Sequence, residues 1–518
     1  MFSSNPKKLN DKLTDSKISL DSLMRSAFSD DTAMALTAND IASSGIDVTK
    51  DIFLFVNQSG SIMSGSTVST GVVAVLDKAS DFETFLKKKS PQAEIKKEKD
   101  FSYATVKGSS AIGWTDDIVI MSNVTGYNTQ TGEQTGNSEA AHQQLVTLFA
   151  QKEEASLASV KQFKDANDGK ADMFFWSNSN GALASIPMIG MSKASDLFKD
   201  TYTAGAINFK NGEVDMDMKS YPNDAFKDTL KKYAGPKVDM ALLNKFPGAV
   251  NGFALFSFDP KLIISILSFA GFAQTAEQFL SNLGITLDDI TKAFKGDFAV
   301  VFSNVGMQQK AIPGTTQTYS SPSAKLIIDA AIGDKASYDK IVAALAKKGL
   351  MVQKGGQYVP GFMAEDPSLS MYTDAKNIII SSDPALIQQY VAGSGKVTLP
   401  SGVSDKAKGN AVALYVDIAT ILNAMPADTS AANMTASAKQ TFKDVIVTSD
   451  NYSGGSISGH AELHTVNEKE NSLASLAKYF GSLSEAMKRM KAEAGMPTTT
   501  PIMPDTSGMM EEPADSAQ

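Results

Sequence analysis

Hydrophobic and polar residues alternate along much of the chain in patterns that predict short strands, with helical segments between them. Residues 207–220, INFKNGEVDMDMKS, place apolar side chains at every second position on either side of Asn-Gly, which is typical of an antiparallel hairpin. Residues 139–150, EAAHQQLVTLFA, instead predict an amphipathic helix. The chain as a whole predicts an α+β fold: a mainly antiparallel sheet with helices packed on one face.

Segments of similar pattern occur twice, in the same order. Residues 72–85, VVAVLDKASDFETF, and residues 328–342, IDAAIGDKASYDKIV, both predict a strand, then Asp-Lys-Ala-Ser, then a helix. Ser80 and Ser337 occupy the expected N-cap position of these two helices. Further matching pairs are 33–41 with 252–263, 43–57 with 282–304, 114–123 with 372–383, and 171–178 with 411–417. This order predicts a tandem duplication.

The repeated blocks divide the chain into four regions. Residues 1–29 are expected to be an N-terminal leader, 30–240 the first α+β repeat and 241–490 the second, with the junction near 237–248. Residues 491–518 contain Pro, Met, Thr and acidic residues without hydrophobic periodicity, which predicts a disordered tail.

Composition and net charge exclude several classes of protein and site. The formal net charge is -9, and Lys and Arg are dispersed along the 518 residues, which argues against a nucleic-acid partner. The absence of Cys excludes disulfides and thiolate sites and fits an oxidising cell envelope. The apolar stretch at 262–273 is too short to span a bilayer. The polar start is typical of a chain from which a signal peptide has been removed.

Residues 51–66, DIFLFVNQSGSIMSGS, resemble the metal-ion-dependent adhesion site of von Willebrand A domains. Such a site needs a carboxylate at the strand end together with hydroxyl ligands, because a hard cation prefers charged oxygen ligands. Asn57 stands where the carboxylate is required, and the matching position of the second repeat is Ser303. The segment that follows predicts a strand instead of a helix. We therefore expect a hairpin without a metal ion.

A second candidate metal site lies at 459–464, GHAELH. His460, Glu462 and His464 have strand spacing and so lie on one face, and two imidazoles with a carboxylate are plausible zinc ligands. The equivalent segment of the first repeat is GEVDMD, with Glu213, Asp215 and Asp217 on the same face. What the two copies share is a polar strand face, so the sequence favours a solvated surface and no metal.

Motifs for catalysis are missing from the sequence. It contains no G-x-S-x-G nucleophile elbow, no Walker A loop and no H-E-x-x-H zinc motif. With three His and no Cys, acid–base chemistry would depend on carboxylates, and no pair of them stands out. We expect neither an enzyme nor a bound cofactor.

The segments at 45–57, 72–88, 114–123 and 245–263 resemble those of the domain-of-unknown-function family 4836, large envelope proteins of Bacteroidota, over about residues 25–490. The resemblance implies an exported lipoprotein anchored through a lipidated Cys. This chain has no Cys, so such an anchor would lie upstream of Phe2. No site residue carries over from the family.

These observations lead to two alternative functions. The first is a non-catalytic envelope protein, at the outer membrane or in the periplasm, that acts as a scaffold for an unknown protein partner. The second is a periplasmic carrier of an apolar ligand or lipid, lined by segments such as 173–176 and 262–272. Core packing explains those apolar segments more simply.

Overall fold

A computed structural model describes residues 1–16, 43–61, 65–106, 109–127, 134–135, 137–179, 195–312, 314–366, 368–393, 395–425 and 432–493. The strands are β1 Phe2–Ser4, β2 Ile52–Ser61, β3 Gly65–Val75, β4 Ile95–Lys97, β5 Ser102–Val106, β6 Ser110–Trp114, β7 Ile118–Tyr127, β8 Gln134–Thr135, β9 Met173–Asn178, β10 Tyr202–Lys210, β11 Glu213–Tyr221, β12 Gly248–Ala249, β13 Gly252–Ser257, β14 Phe294–Ala311, β15 Thr318–Ile332, β16 Met351–Lys354, β17 Gln357–Pro360, β18 Ser370–Thr373, β19 Asn377–Ser381, β20 Val397–Thr398, β21 Val412–Val416, β22 Phe442–Ser449 and β23 Ile457–Thr465.

Helices lie between these strands. They are α1 Pro6–Leu13, α2 Ala79–Lys89, α3 Ser138–Phe149, α4 Lys161–Ala166, α5 Ser195–Phe198, α6 Asp224–Lys232, α7 Met240–Asn244, α8 Pro260–Phe269, α9 Ala273–Ser281, α10 Leu287–Ala293, α11 Lys335–Lys347, α12 Gly361–Glu365, α13 Pro384–Ala392, α14 Val403–Ala407, α15 Ile418–Ala424, α16 Ala432–Thr441 and α17 Ser472–Glu493.

Most of the strands form one large antiparallel sheet. Within the described residues they pair in the order β4-β5-β6-β7-β3-β2-β1-β9-β10-β11-β23-β22-β21-β13-β14-β15-β19-β18, and β8 adds to β7. Strands β12 and β20 form a separate parallel pair, and β16 and β17 a separate hairpin. The expected α+β fold with a mainly antiparallel sheet is confirmed. The chain-distant strands β11 and β23 are neighbours at the middle of the sheet, and this pair is called the seam below.

Helices cover both faces of the sheet, so the prediction of helices on one face is wrong. Adjacent strand residues point to opposite faces. In β7, Val119 packs in a cluster with Phe82 and Leu86 of α2, whereas Ile120 packs with Leu145 of α3. The same division occurs in β19, where Ile378 contacts the α11 cluster and Ile379 the cluster that holds α7 and α13.

The local turn and capping signals are partly confirmed. Strands β10 and β11 are joined at Asn211 and Gly212, as the Asn-Gly pattern predicts, with Gly212 at φ +71°. The N-cap prediction is wrong for both matched helices. Asp334 caps α11, its carboxylate accepting from the Ser337 amide at 2.8 Å. Lys78 precedes α2 without a side-chain cap, so neither Ser80 nor Ser337 is a cap residue.

The N-terminal end of the expected first repeat differs from the sequence interpretation. Residues Phe2–Ser4, assigned above to a leader, pair with β2 on one side and β9 on the other, and Leu13 is fully buried. The junction at 237–248 contains α7, whose Leu243 belongs to the main apolar core of the second half. The predicted segment at 33–41, residues 17–29 of the leader and the tail from 494 onward lie outside the described residues.

No single helix in the described ranges has both the length and the apolar character to cross a bilayer. One pair passes that test together, α8 with α9, and the two helices meet at 115°.

Candidate functional site

At the seam, the polar strand face at 459–464 lies beside the polar face of the segment GEVDMD, its predicted equivalent in the first repeat. Strand β11 reads Glu-Val-Asp-Met-Asp and β23 reads His-Ala-Glu-Leu-His, and in both every second side chain is ionisable. The register pairs Glu213 with His464, Asp215 with Glu462 and Asp217 with His460. Six ionisable side chains therefore lie on one face of two hydrogen-bonded strands.

His464 is the more enclosed imidazole of this cluster. Its Nδ1 lies 2.6 Å from Oδ1 of Asp444 on the neighbouring strand β22, within hydrogen-bond distance. Its Nε2 lies 3.3 Å from Oε2 of Glu462 and 3.6 Å from Oε2 of Glu213. Asp444 thus fixes the orientation of the ring, and Nε2 points between two carboxylates.

His460 uses both of its ring nitrogens for hydrogen bonds. Nδ1 lies 2.9 Å from Oδ1 of Asp217, and Nε2 lies 3.2 Å from Oε1 of Glu462. Asp215 is more distant, with Oδ2 at 3.9 Å from Nε2. The sequence-predicted set of His460, Glu462 and His464 is therefore split: Glu462 lies between the two imidazoles, one oxygen toward each.

Two lysines complete the cluster. Lys406 of α14 forms an ion pair with Oε2 of Glu462. Lys210, at the end of β10, lies 3.0 Å from Glu213 and 2.5 Å from Asp215. Glu462 is only 7% exposed. The prediction of a solvated strand face is therefore wrong for Glu462, at the centre of the cluster, whereas the side chain of Asp217 is 69% exposed.

The surroundings shift several pKa values. Hydrogen bonding to Asp444 raises the pKa of His464. Burial would lower the pKa of His460, but hydrogen bonds with Asp217 and Glu462 outweigh it and the net shift is upward. Burial would raise the pKa of Glu462, but Lys406 and His460 together lower it. The cluster therefore favours protonated imidazoles beside ionised carboxylates.

The adhesion-like segment lies in a hairpin, as expected. Strand β2 continues past Asn57, which pairs with Ser69, and β2 and β3 are antiparallel neighbours. Ser303 likewise lies within β14, which pairs with β15. Residues 62–64 of the segment lie outside the described residues.

Sequence reasoning missed two members of the cluster, Asp444 and Lys406. Asp444 lies on β22, 20 residues before His464, so local spacing does not connect the two residues. Lys406 reaches Glu462 from a short helix 56 residues earlier in the chain, and no local pattern reports such a contact.

Comparisons with known proteins give one finding. A family model described as Domain of unknown function (DUF4836) matches residues 7–473 of the 518. No curated protein and no solved structure matches the chain.

Proposed function

The chain belongs to the family described as Domain of unknown function (DUF4836), and from that premise we propose a non-catalytic cell-envelope protein, of lipoprotein type, that is a scaffold for a protein partner. The proposal of export is supported by the absence of Cys from the sequence. The proposal of a scaffold is supported by the single wide sheet, in which β11 and β23 join the two halves of the chain.

We infer that these halves arose by tandem duplication. From the seam outward, the first half runs β11, β10, β9, β1, β2, β3, β7, β6 and the second runs β23, β22, β21, β13, β14, β15, β19, β18. When the short additional strands are left out, the strands at the same distance from the seam in the two halves also have the same rank in chain order. For example, β1 and β13, each the first strand of its half, both lie fourth from the seam. This mirrored strand order is the main observation in favour of a tandem duplication.

The inferred first copy begins earlier than residue 30. Residues 2–7 read FSSNPK and residues 256–261 read FSFDPK, and in each case a strand leads to a helix that starts with Pro. Asn5 and Asp259 cap these helices by accepting from the amides of Lys8 and Lys261. The matching caps support copies that start at β1 and β13.

A protein-binding surface is supported by exposed apolar side chains around the β16–β17 hairpin and α12. Phe362 is 72% exposed and Leu350 is 55% exposed, and Tyr358 lies on the same hairpin at 44%. Exposed aromatic and aliphatic groups at one place are typical of interaction surfaces. These three side chains are exposed, whereas Met351 of the same hairpin is buried in the core, so a partner can contact them without disturbing the core.

Site-specific photo-cross-linking in the source cell tests this function. A photoreactive residue at Phe362 is expected to capture one reproducible envelope protein, whereas the same residue at Phe480, an exposed aromatic on α17, is expected to capture none. Fractionation of the same cells should recover the protein with the envelope. Recovery in the cytosolic fraction, or equal capture at both positions, would contradict the proposal.

The alternative function, a carrier of an apolar ligand, rests on two apolar segments. In the first, Trp176 packs on Phe163, Tyr202 and Tyr221, so aromatic contacts within the core account for it. Native mass spectrometry of the purified chain distinguishes the two functions. A retained lipid favours the carrier, and a mass equal to that of the chain alone favours the scaffold.

A further inference from the structure

The groups around His464 have the composition and the spacing of a three-ligand zinc site. Ligand atoms at the corners of a tetrahedral Zn²⁺ site, with bonds of about 2.0–2.1 Å to nitrogen and oxygen, lie about 3.3 Å apart. His464 Nε2 lies 3.3 Å from Glu462 Oε2 and 3.6 Å from Glu213 Oε2. All three ligand atoms lie within 4.8 Å of one another. We propose that His464, Glu462 and Glu213 bind Zn²⁺, with water as the fourth ligand.

Asp444 supplies an independent observation in favour of a metal ion. A metal-binding imidazole commonly donates its other N–H to a carboxylate, which fixes the tautomer and leaves a lone pair for the ion. Asp444, only 8% exposed, lies 2.6 Å from Nδ1 of His464 and holds the ring so that Nε2 faces the two glutamates. The distances from Nε2 to those glutamates exceed that of an ordinary N–H···O hydrogen bond.

Lys406 is the group that the ion would displace. Without the ion, the ammonium of Lys406 pairs with Oε2 of Glu462, the same oxygen that the proposed site requires. Zn²⁺ at this position therefore displaces the ammonium of Lys406 from Glu462, so that one positive partner of this carboxylate is exchanged for another.

The related group around His460 is less suited to a metal. Both of its ring nitrogens already have carboxylate partners, and Asp217 is largely exposed. An imidazole with two carboxylates favours zinc over calcium or magnesium, which prefer all-oxygen sites. The proposed ligand is therefore a zinc-class ion at His464 alone.

Titration of the full-length, chelator-treated chain with Zn²⁺ alone tests the site, with affinity read by competition against a chromogenic chelator. One equivalent is expected to bind and to raise the melting temperature. His464→Gln is expected to weaken binding at least 100-fold, while His142→Gln, which removes an imidazole on α3 outside the cluster, changes it less than threefold. Glu213→Gln, on a partly exposed side chain, keeps the test valid if the His464 variant misfolds, and is expected to weaken binding at least tenfold. Equal losses in the His142 and His464 variants would overturn the proposal.

Two further variants test the mechanism of binding. Asp444→Asn is expected to weaken affinity about 10–100-fold, the usual effect of losing an orienting carboxylate. Lys406→Met is expected to strengthen affinity, because it removes the cation that competes for Glu462. Co²⁺ should show the intense visible bands of tetrahedral coordination in the wild type and not in His464→Gln. An unchanged affinity in Lys406→Met, or octahedral Co²⁺ in wild type and variant alike, would reject the site.

Discussion

Asp329 and Tyr390 share a buried hydrogen bond in the core of the second half, with Oδ2 of Asp329 2.8 Å from the hydroxyl oxygen of Tyr390. The same hydroxyl lies 2.5 Å from the carbonyl oxygen of Leu242, and Asn377 donates to the other carboxyl oxygen of Asp329 at 2.7 Å. The hydroxyl has one hydrogen and donates it to Leu242, so a protonated Asp329 is needed to complete the second bond. Burial raises the pKa of Asp329, in agreement with this arrangement.

Asp329→Asn is therefore expected to stabilise the protein at neutral pH. An acid with a raised folded-state pKa stabilises the fold while it is protonated, and this contribution is lost as pH rises from the unfolded value of 3.8 through the folded value. Asn donates the same hydrogen bond at every pH. Urea unfolding between pH 4 and 8 should show a smaller decline with pH in the variant. Tyr390→Phe, the control, leaves the Leu242 carbonyl and the Asp329 O–H buried and unpaired, and should cost about 1–3 kcal/mol.

Gly212→Ala tests the hairpin that precedes the seam. Gly212 has φ +71°, and an added Cβ would lie 2.7 Å from the Cα of Glu468. Gly169 has the same φ of +71° with no atom within 4 Å of its Cβ position, so Gly169→Ala carries only the backbone strain. That strain costs roughly 1–2 kcal/mol, and Gly212→Ala should cost more because Glu468 must also move. Equal losses of unfolding free energy would show that the contact with Glu468 is unimportant.

Local features of the fold were predictable because they depend on neighbouring residues. The Asn-Gly turn and the alternating strands β10 and β11 follow directly from residue order. The helices on both faces have a signal in the sequence: Asn377–Ser381 reads NIIIS, and a continuous apolar run is typical of a strand buried on both sides. A sheet covered on one face would alternate instead.

The candidate site was predictable only in its parts. Strand spacing placed His460, Glu462 and His464 on one face, and the first repeat offered Glu213, Asp215 and Asp217 in the same way. That these two faces pair with each other is a long-range relationship between residues about 250 positions apart, which local periodicity does not record. Asp444 and Lys406 also contact the cluster from distant positions in the chain. The burial of the cluster could therefore not be inferred from the sequence.

Stability in a metal-free buffer is expected to fall as pH rises above 6.5. His460 and His464 both have folded-state pKa values above that ordinary value. Their contribution is complete below 6.5 and is lost as pH rises through the folded values, because the carboxylates then lose their positive partners. The double variant with Gln at both positions should show a flatter dependence between pH 6.5 and 9. Urea midpoints across that range measure the effect, and parallel curves for wild type and variant would exclude the imidazoles as its source.

The seam itself can be tested by a disulfide, because the chain contains no Cys of its own. Val214 and Leu463 are register partners on β11 and β23, on the apolar face opposite the ionisable cluster. Antiparallel partners have Cα atoms about 4.5–5.5 Å apart, within the range of about 4.4–6.8 Å that a disulfide spans. The double variant Val214→Cys, Leu463→Cys should therefore oxidise within one chain, detected as a linked peptide pair and a faster band on a non-reducing gel.

Val214→Cys with Ile457→Cys is the control, since Ile457 pairs with Ser220 and lies about 20 Å further along its strand at 3.3 Å per residue. Oxidation of the control at the same rate, or none in the Val214–Leu463 pair, would show that the two halves do not share one sheet through β11 and β23.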